Sequence, residues 1–227
     1  MPTLTRFRRR VAGGCVVVFA AALLAQELVG AHSDDDPASI YALAADRGDA
    51  LLAQTLLLLV STIALIPGIF GIVAAVRERG ARLVHIGAGL AVLGALGHMA
   101  IVCVGLVFLE MPKAGDRAGM LALIDRLNES PTVGLIVFPL ILCFGLSLLF
   151  LSLATWRARL VPGWVAAAVV AALVVHFGLP EDVPGVGAVA NGLAAFGFMF
   201  IGVRVARSAD GPEPAADVSA AAVPQPA

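Results

Sequence analysis

Five side chains able to hold an ion, a solute or a proton stand inside long apolar stretches of this chain: Glu27, Gln54, His98, His176 and Asn191. Polar groups are costly inside a membrane span and are candidates for function by default. Glu27, Gln54, His176 and Asn191 each fall within about six residues of one end of their stretch, roughly 10 Å at the rise of a helix. They are therefore expected to share one layer near the outer surface, where they form either a polar pocket open to the outside or separate contacts with headgroups and water. His98 sits deeper, within Gly94-Ala95-Leu96-Gly97-His98-Met99. A neutral histidine at that depth is expected to bond a group of another helix, with Ser61 and Thr62 as candidates. A proton relay or a metal ligand is the functional alternative.

Cofactor chemistry finds little support in the spacing. His98 and His176 differ in depth by roughly 12 Å at about 1.5 Å per residue, too much for two axial ligands on one haem iron. No CxxC, HxxxH or HExxH occurs. Neither a cofactor, a metal site nor a catalytic residue is expected. Cys15, Cys103 and Cys143 all fall in apolar runs, where a small hydrophobe is the expected role and a disulfide framework is not.

The elements that must position these residues are set by composition. Hydrophobic residues make up 60 % and charged residues 14 %, and the mean hydropathy is +0.96. Soluble domains sit near 45–50 % apolar and about 25 % charged. The excess lies in six uncharged runs near residues 11–31, 51–76, 83–109, 132–155, 161–179 and 185–203. Roughly 20 apolar residues are enough to span a bilayer as a helix. The expected fold is an all-α membrane protein, a six-transmembrane-helix bundle of three outward hairpins filling residues 1–207. Residues 208–227, rich in proline, alanine and acids, are expected to be a disordered cytoplasmic tail.

Charge gives the orientation. Arg6, Arg8, Arg9, Arg10, Arg77, Arg79, Arg82, Arg157, Arg159, Arg204 and Arg207 fall on one side of the six runs. Arg47, Lys113, Arg117 and Arg126 fall on the other, with most of the acids. Basic residues stay cytoplasmic, so both termini are expected inside, in the cytoplasmic (inner) membrane. A net charge of −1 implies no attraction to nucleic acid. Residues 1–31 also admit a second reading, as a signal peptide cleaved after Val29-Gly30-Ala31.

Both long outer loops carry helix signals. Met120, Leu123, Ile124 and Leu127 make one apolar face, Asp116 can cap its start, and Asn128 to Pro131 stops it. Asp36-Pro37 opens a similar short amphipathic helix that Gly48 would close. The related pieces Ala42-Leu43-Ala44-Ala45-Asp46-Arg47 and Ala122-Leu123-Ile124-Asp125-Arg126 are read as convergence rather than duplication. Gly87, Gly89, Gly94 and Gly97 in the third run, and Gly187, Gly192, Gly197 and Gly202 in the sixth, are expected to place those two helices centrally. Pro67 and Pro139 are expected to kink the second and fourth.

The segment Trp156-Arg157-Ala158-Arg159-Leu160-Val161-Pro162-Gly163-Trp164 resembles the inner loop of small, uncharacterised six-helix integral membrane proteins of GC-rich, actinobacterial-type bacteria. There an aromatic, two arginines, Leu-Val-Pro and a tryptophan recur, with a basic residue often where this chain has Gly163. The likeness in organisation covers roughly residues 11–205 and implies six spans with this loop inside. It implies no activity. Three roles follow in order: an accessory or structural membrane component; a small-solute transporter, channel or ligand sensor using the outer layer; an intramembrane enzyme or redox protein using His98. The expected partners are the lipid bilayer and either another membrane protein or a second copy of the chain.

Overall fold

A computed structural model describes residues 6–30, 36–76, 78–179 and 185–208. Among these the chain is helical, without strands: α1 (Arg6–Val29), α2 (Pro37–Asp46), α3 (Gly48–Ala75), α4 (Ala81–Glu110), α5 (Arg117–Asn128), α6 (Pro131–Arg157), α7 (Gly163–Gly178) and α8 (Val186–Arg207), with a 3-10 turn at Met111–Ala114. Five helices, α1, α3, α4, α6 and α8, are long and apolar enough to cross a membrane, which makes this a multi-pass membrane protein. The expected tail beyond Ser208, Arg77 and Ala31 of the small-residue site lie outside the described residues.

The fifth run is shorter than expected. α7 has 16 residues rather than the 19 of 161–179, because Pro162 stands at its N-cap and the helix ends at Gly178. At about 1.5 Å per residue it reaches roughly 24 Å.

Six helices pack as a closed ring in the order α1, α3, α4, α6, α7, α8, with α8 returning to α1. Close approaches at glycines give the direction of each pair. Gly68 and Gly71 of α3 meet Val16 and Ala12 of α1, Gly105 of α4 meets Thr55 of α3, and Gly87, Gly94 and Gly97 of α4 meet Leu151, Phe144 and Leu140 of α6. Gly145 of α6 meets Phe177 of α7, Gly197 of α8 meets Val169 of α7, and Gly13 of α1 meets Gly202 and Ala206 of α8. For α1–α3, α4–α6, α7–α8 and α8–α1 the paired numbers run in opposite senses, and the short connections from α3 to α4 and from α6 to α7 reverse the chain, so neighbours in the ring are antiparallel.

The expectation that α4 and α8 share the centre is not met, since the two are not packing partners. Their glycines serve different seams: Gly87, Gly94 and Gly97 of α4 seat α6, and Gly202 and Gly197 of α8 seat α1 and α7. Small residues let backbones approach closely but do not say which neighbour approaches. α1 packs closely against both α3 and α8. Its Val16, Phe19, Ala20 and Leu23 are buried in one core with Leu65, Ile69 and Ile72 of α3 and Phe198, Ile201 and Val205 of α8.

The ring has a basic and an acidic end. Arg9 Nη1 donates to the Ser208 carbonyl at 3.3 Å, tying the start of α1 to the end of α8. The α3–α4 turn lies at the same end, where Gly80, at φ +92°, sits so close to the Ala154 carbonyl that a Cβ would be 2.7 Å from it. The opposite end is covered by α2 and α5, which pack on each other with Ala44 and Ile124 buried. Asp36 accepts from Ser39 N (3.1 Å) and Asp116 from Gly119 N (2.9 Å), so both caps form as the sequence indicates. Gly48 does not close α2; it is the first residue of α3, and Arg47 alone separates the two helices. The two related sequence pieces are not used alike: Arg47 donates to the Gly30 carbonyl at the end of α1, Arg126 to Ala122 in its own helix. α3 and α6 continue through Pro67 and Pro139.

Candidate functional site

At the acidic end, α1 and α8 bring together two of the five candidate side chains. Asn191 Nδ2 donates to Glu27 Oε1 at 2.9 Å, across 164 residues of sequence. Gly187, one turn before Asn191, is what admits the carboxylate: a Cβ there would stand 3.2 Å from Glu27 Oε2. Leu24 lies one turn below, against Gly192. Both polar residues are half-buried. A carboxylate and an amide held together at the mouth of an apolar bundle are groups of the kind that bind a cation or a hydrogen-bond donor.

The other candidates do not join them. Gln54 is half-buried on α3 and makes no side-chain hydrogen bond to the described residues. His176 is exposed on α7, its ring edge-on to the adjacent Phe177 at 4.9 Å. α7 is a neighbour of α6 and α8 and not of α1, so His176 stands apart from Glu27. The shared layer is thus one pair and two separate groups, because equal depth fixes the level of a residue but not its direction around the helix.

His98 is enclosed at the centre. Its ring packs edge-on against Phe144 at 4.0 Å between centroids. Phe144 meets Phe19 at 6.1 Å, and Phe19 meets Phe198 at 5.7 Å, both edge-to-face. Four rings from α4, α6, α1 and α8 so run in series across the bundle, a geometry aromatic pairs favour. The expected bonds to Ser61 and Thr62 do not form. Thr62 Oγ1 donates to the Leu58 carbonyl of its own helix at 2.8 Å. Ser61 Oγ and His98 Nδ1 are both buried without a hydrogen-bond partner among the described residues. The level was right, since Thr55 pairs with Gly105 across α3 and α4; the histidine turns to α6 instead.

His85, in the first turn of α4, has Nδ1 2.6 Å from the Ala81 carbonyl and serves its own helix. The three cysteines are free, and Cys103 is exposed on α4 rather than buried. Among the described residues, no three His, Cys, Asp or Glu gather into a group that could hold a metal ion.

A second polar region lies at the basic end, which sequence reasoning treated only as a loop. The α6–α7 connection and the last turn of α8 enclose a cleft of about 390 Å³ lined by Trp156, Arg159, Gly163 and Arg204 among others. Arg159 is the one non-glycine residue at positive φ among the described residues, at +57°.

Comparison with protein-family models, with curated proteins and with solved structures gave no match.

Proposed function

We propose that the chain is a six-span integral protein of the cytoplasmic membrane, with both termini in the cytoplasm, acting as an accessory or structural membrane component. The observation that carries the role is the filled centre of the ring. Phe19, Phe198, Leu65, Leu151 and Ile201 are fully buried there, and the polar candidates do not converge on a path through it. Such a bundle offers its outer faces to other proteins and leaves its axis closed. The alternating directions of the six ring helices support six crossings as three outward hairpins, with α7 the short one. The basic end, with Arg79, Arg82, Arg157, Arg204 and Arg207, is then cytoplasmic. The resemblance of residues 156–164 to an inner loop agrees with that placement. α1 is a retained span in this reading, since cleavage would remove Val16, Phe19 and Leu23 from the core.

The Glu27–Asn191 pair favours a second reading, in which the outer mouth binds a small solute or cation for transport or sensing. Native mass spectrometry of cross-linked, detergent-purified protein, with an absorbance spectrum, separates the two. An accessory component is expected to carry a second membrane protein or further copies of itself. A monomer holding a stoichiometric small solute, lost on Asn191→Ala, would replace it with the solute-binding role. A visible absorption band would revive redox use of His98.

A further inference from the structure

We infer that the cleft at the basic end is a binding site for a phosphate-bearing anion, with the headgroup of an acidic phospholipid as the primary ligand. The inference is independent of the accessory role. Its volume of about 390 Å³ falls in the range of small-molecule sites, roughly 300–1,000 Å³, and accommodates a phosphodiester headgroup.

The lining supplies donors and positive charge. Arg159 and Arg204 enter it from different elements, the first after α6 and the second from the last turn of α8. Among the described residues, neither guanidinium has a carboxylate within ion-pair distance. The Trp156 indole N–H lies at the rim beside Gly163, where a Cβ would be 3.1 Å from Nε1, and it too has no hydrogen-bond partner among the described residues. Gly163 opens α7, so the positive end of that helix adds to the same field. Guanidinium forks match phosphate oxygens in geometry, and nothing acidic lines the cleft to compete.

The backbone spends conformational energy to keep an arginine there. α6 ends in a Schellman motif: Leu160 N–H donates to the Thr155 carbonyl at 3.0 Å and Arg159 N–H to that of Trp156 at 2.8 Å. The left-handed position of this motif is normally glycine, because a Cβ is strained at such a φ. Arg159 occupies it at φ +57°. The second guanidinium is held by an aromatic face, Arg204 Cζ lying 5.4 Å from the Phe200 ring centroid, and Trp164 packs edge-on to that ring at 5.2 Å. Trp156 and Trp164 are both exposed beside the cleft, as expected of residues at a membrane–water interface.

The chain has two tryptophans and both stand at this site, so intrinsic fluorescence reports on it directly. The full-length protein in a neutral detergent is titrated with short-chain phosphatidylglycerol, short-chain phosphatidylcholine and inorganic phosphate. The expected result is a saturable change with phosphatidylglycerol and a response to phosphatidylcholine about tenfold weaker or more, as befits charge-assisted contacts. Arg159→Gly and Arg204→Gln are each expected to weaken phosphatidylglycerol binding by about tenfold. Arg159→Gly relieves backbone strain, so its thermal midpoint should equal or exceed that of the parent, which separates lost binding from lost folding. Inorganic phosphate that saturates the same signal and competes with phosphatidylglycerol would assign the site to a soluble phosphate; no effect of phosphate assigns it to the headgroup. Equal responses to the two lipids, no saturable change with either phosphatidylglycerol or phosphate, or unchanged binding in both variants would overturn the inference.

Discussion

Two glycine-to-alanine substitutions in α4, five residues apart, should act in opposite directions. A Cβ built on Gly94 would stand 2.6 Å from Phe144 Cα and 2.7 Å from its backbone nitrogen. Carbon contacts are comfortable at about 3.5–4.0 Å, so α4 and α6 would have to part locally by about 1 Å. The neighbour is helix backbone and cannot yield by changing rotamer. Forcing a methyl into a packed seam of this kind costs about 1–3 kcal/mol. Gly89 lies on the exposed face of the same helix, with nothing within 4 Å of its Cβ. Alanine gains about 0.8–1.0 kcal/mol over glycine in a helix interior. That gain is common to both sites and cancels in the comparison, leaving Gly94→Ala less stable than Gly89→Ala by about 1–3 kcal/mol. Denaturation of the two variants in mixed micelles with sodium dodecyl sulfate, followed by circular dichroism, measures the difference. Stabilities equal within about 0.5 kcal/mol, the usual spread for surface changes, would refute the α4–α6 seam.

The remaining expectations concern the core and the two ends. Phe19→Ala should destabilise by about 3–5 kcal/mol, whereas Phe70→Ala, on an exposed face of α3, should change stability little in the same assay. A double-mutant cycle with Glu27→Leu and Asn191→Leu, each of which removes the bond, should give a coupling of about 0.6–1.7 kcal/mol, the range for hydrogen bonds between membrane helices; additive effects would dissolve the pair. His98→Leu should leave stability unchanged or raise it, because an unpartnered buried donor or acceptor costs about 1–3 kcal/mol; a marked loss would mean that the ring makes a bond that the edge-on contact with Phe144 does not provide. Asp116→Ala should fray α5 at a cost of about 1 kcal/mol, seen as faster amide exchange at Gly119.

The helices were legible in the sequence because apolar length and capping residues are local signals. Asp36 and Asp116 cap the helices they precede, and Ser130 and Pro131, read as the stop of α5, also open α6. Neighbour relations were not legible. Membrane helices that are apolar on nearly every face carry no pattern separating lipid-facing from core-facing residues. Hence Gly87, Gly94, Gly97, Gly197 and Gly202 marked close approach without saying which helix approaches, and Gly89 faces open space. Glu27 and Asn191 were recognisable by type and depth, while their pairing depends on the return of α8 to α1 across the whole chain. Arg159 gave no signal, since arginine is not a residue associated with the left-handed region.

The central claim is six crossings with both ends inside, and α7 is its most exposed element at 16 residues. Its most direct test is single-cysteine labelling, with Cys15, Cys103 and Cys143 replaced and one cysteine placed at Glu78, Lys113, Leu179 or Ser208. All four variants are treated with a membrane-impermeant maleimide, before and after lysis. Lys113→Cys and Leu179→Cys should react in intact cells, and Glu78→Cys and Ser208→Cys only after lysis. Protection of Leu179→Cys in intact cells would mean that α7 does not cross, and labelling of Ser208→Cys from outside would contradict the orientation.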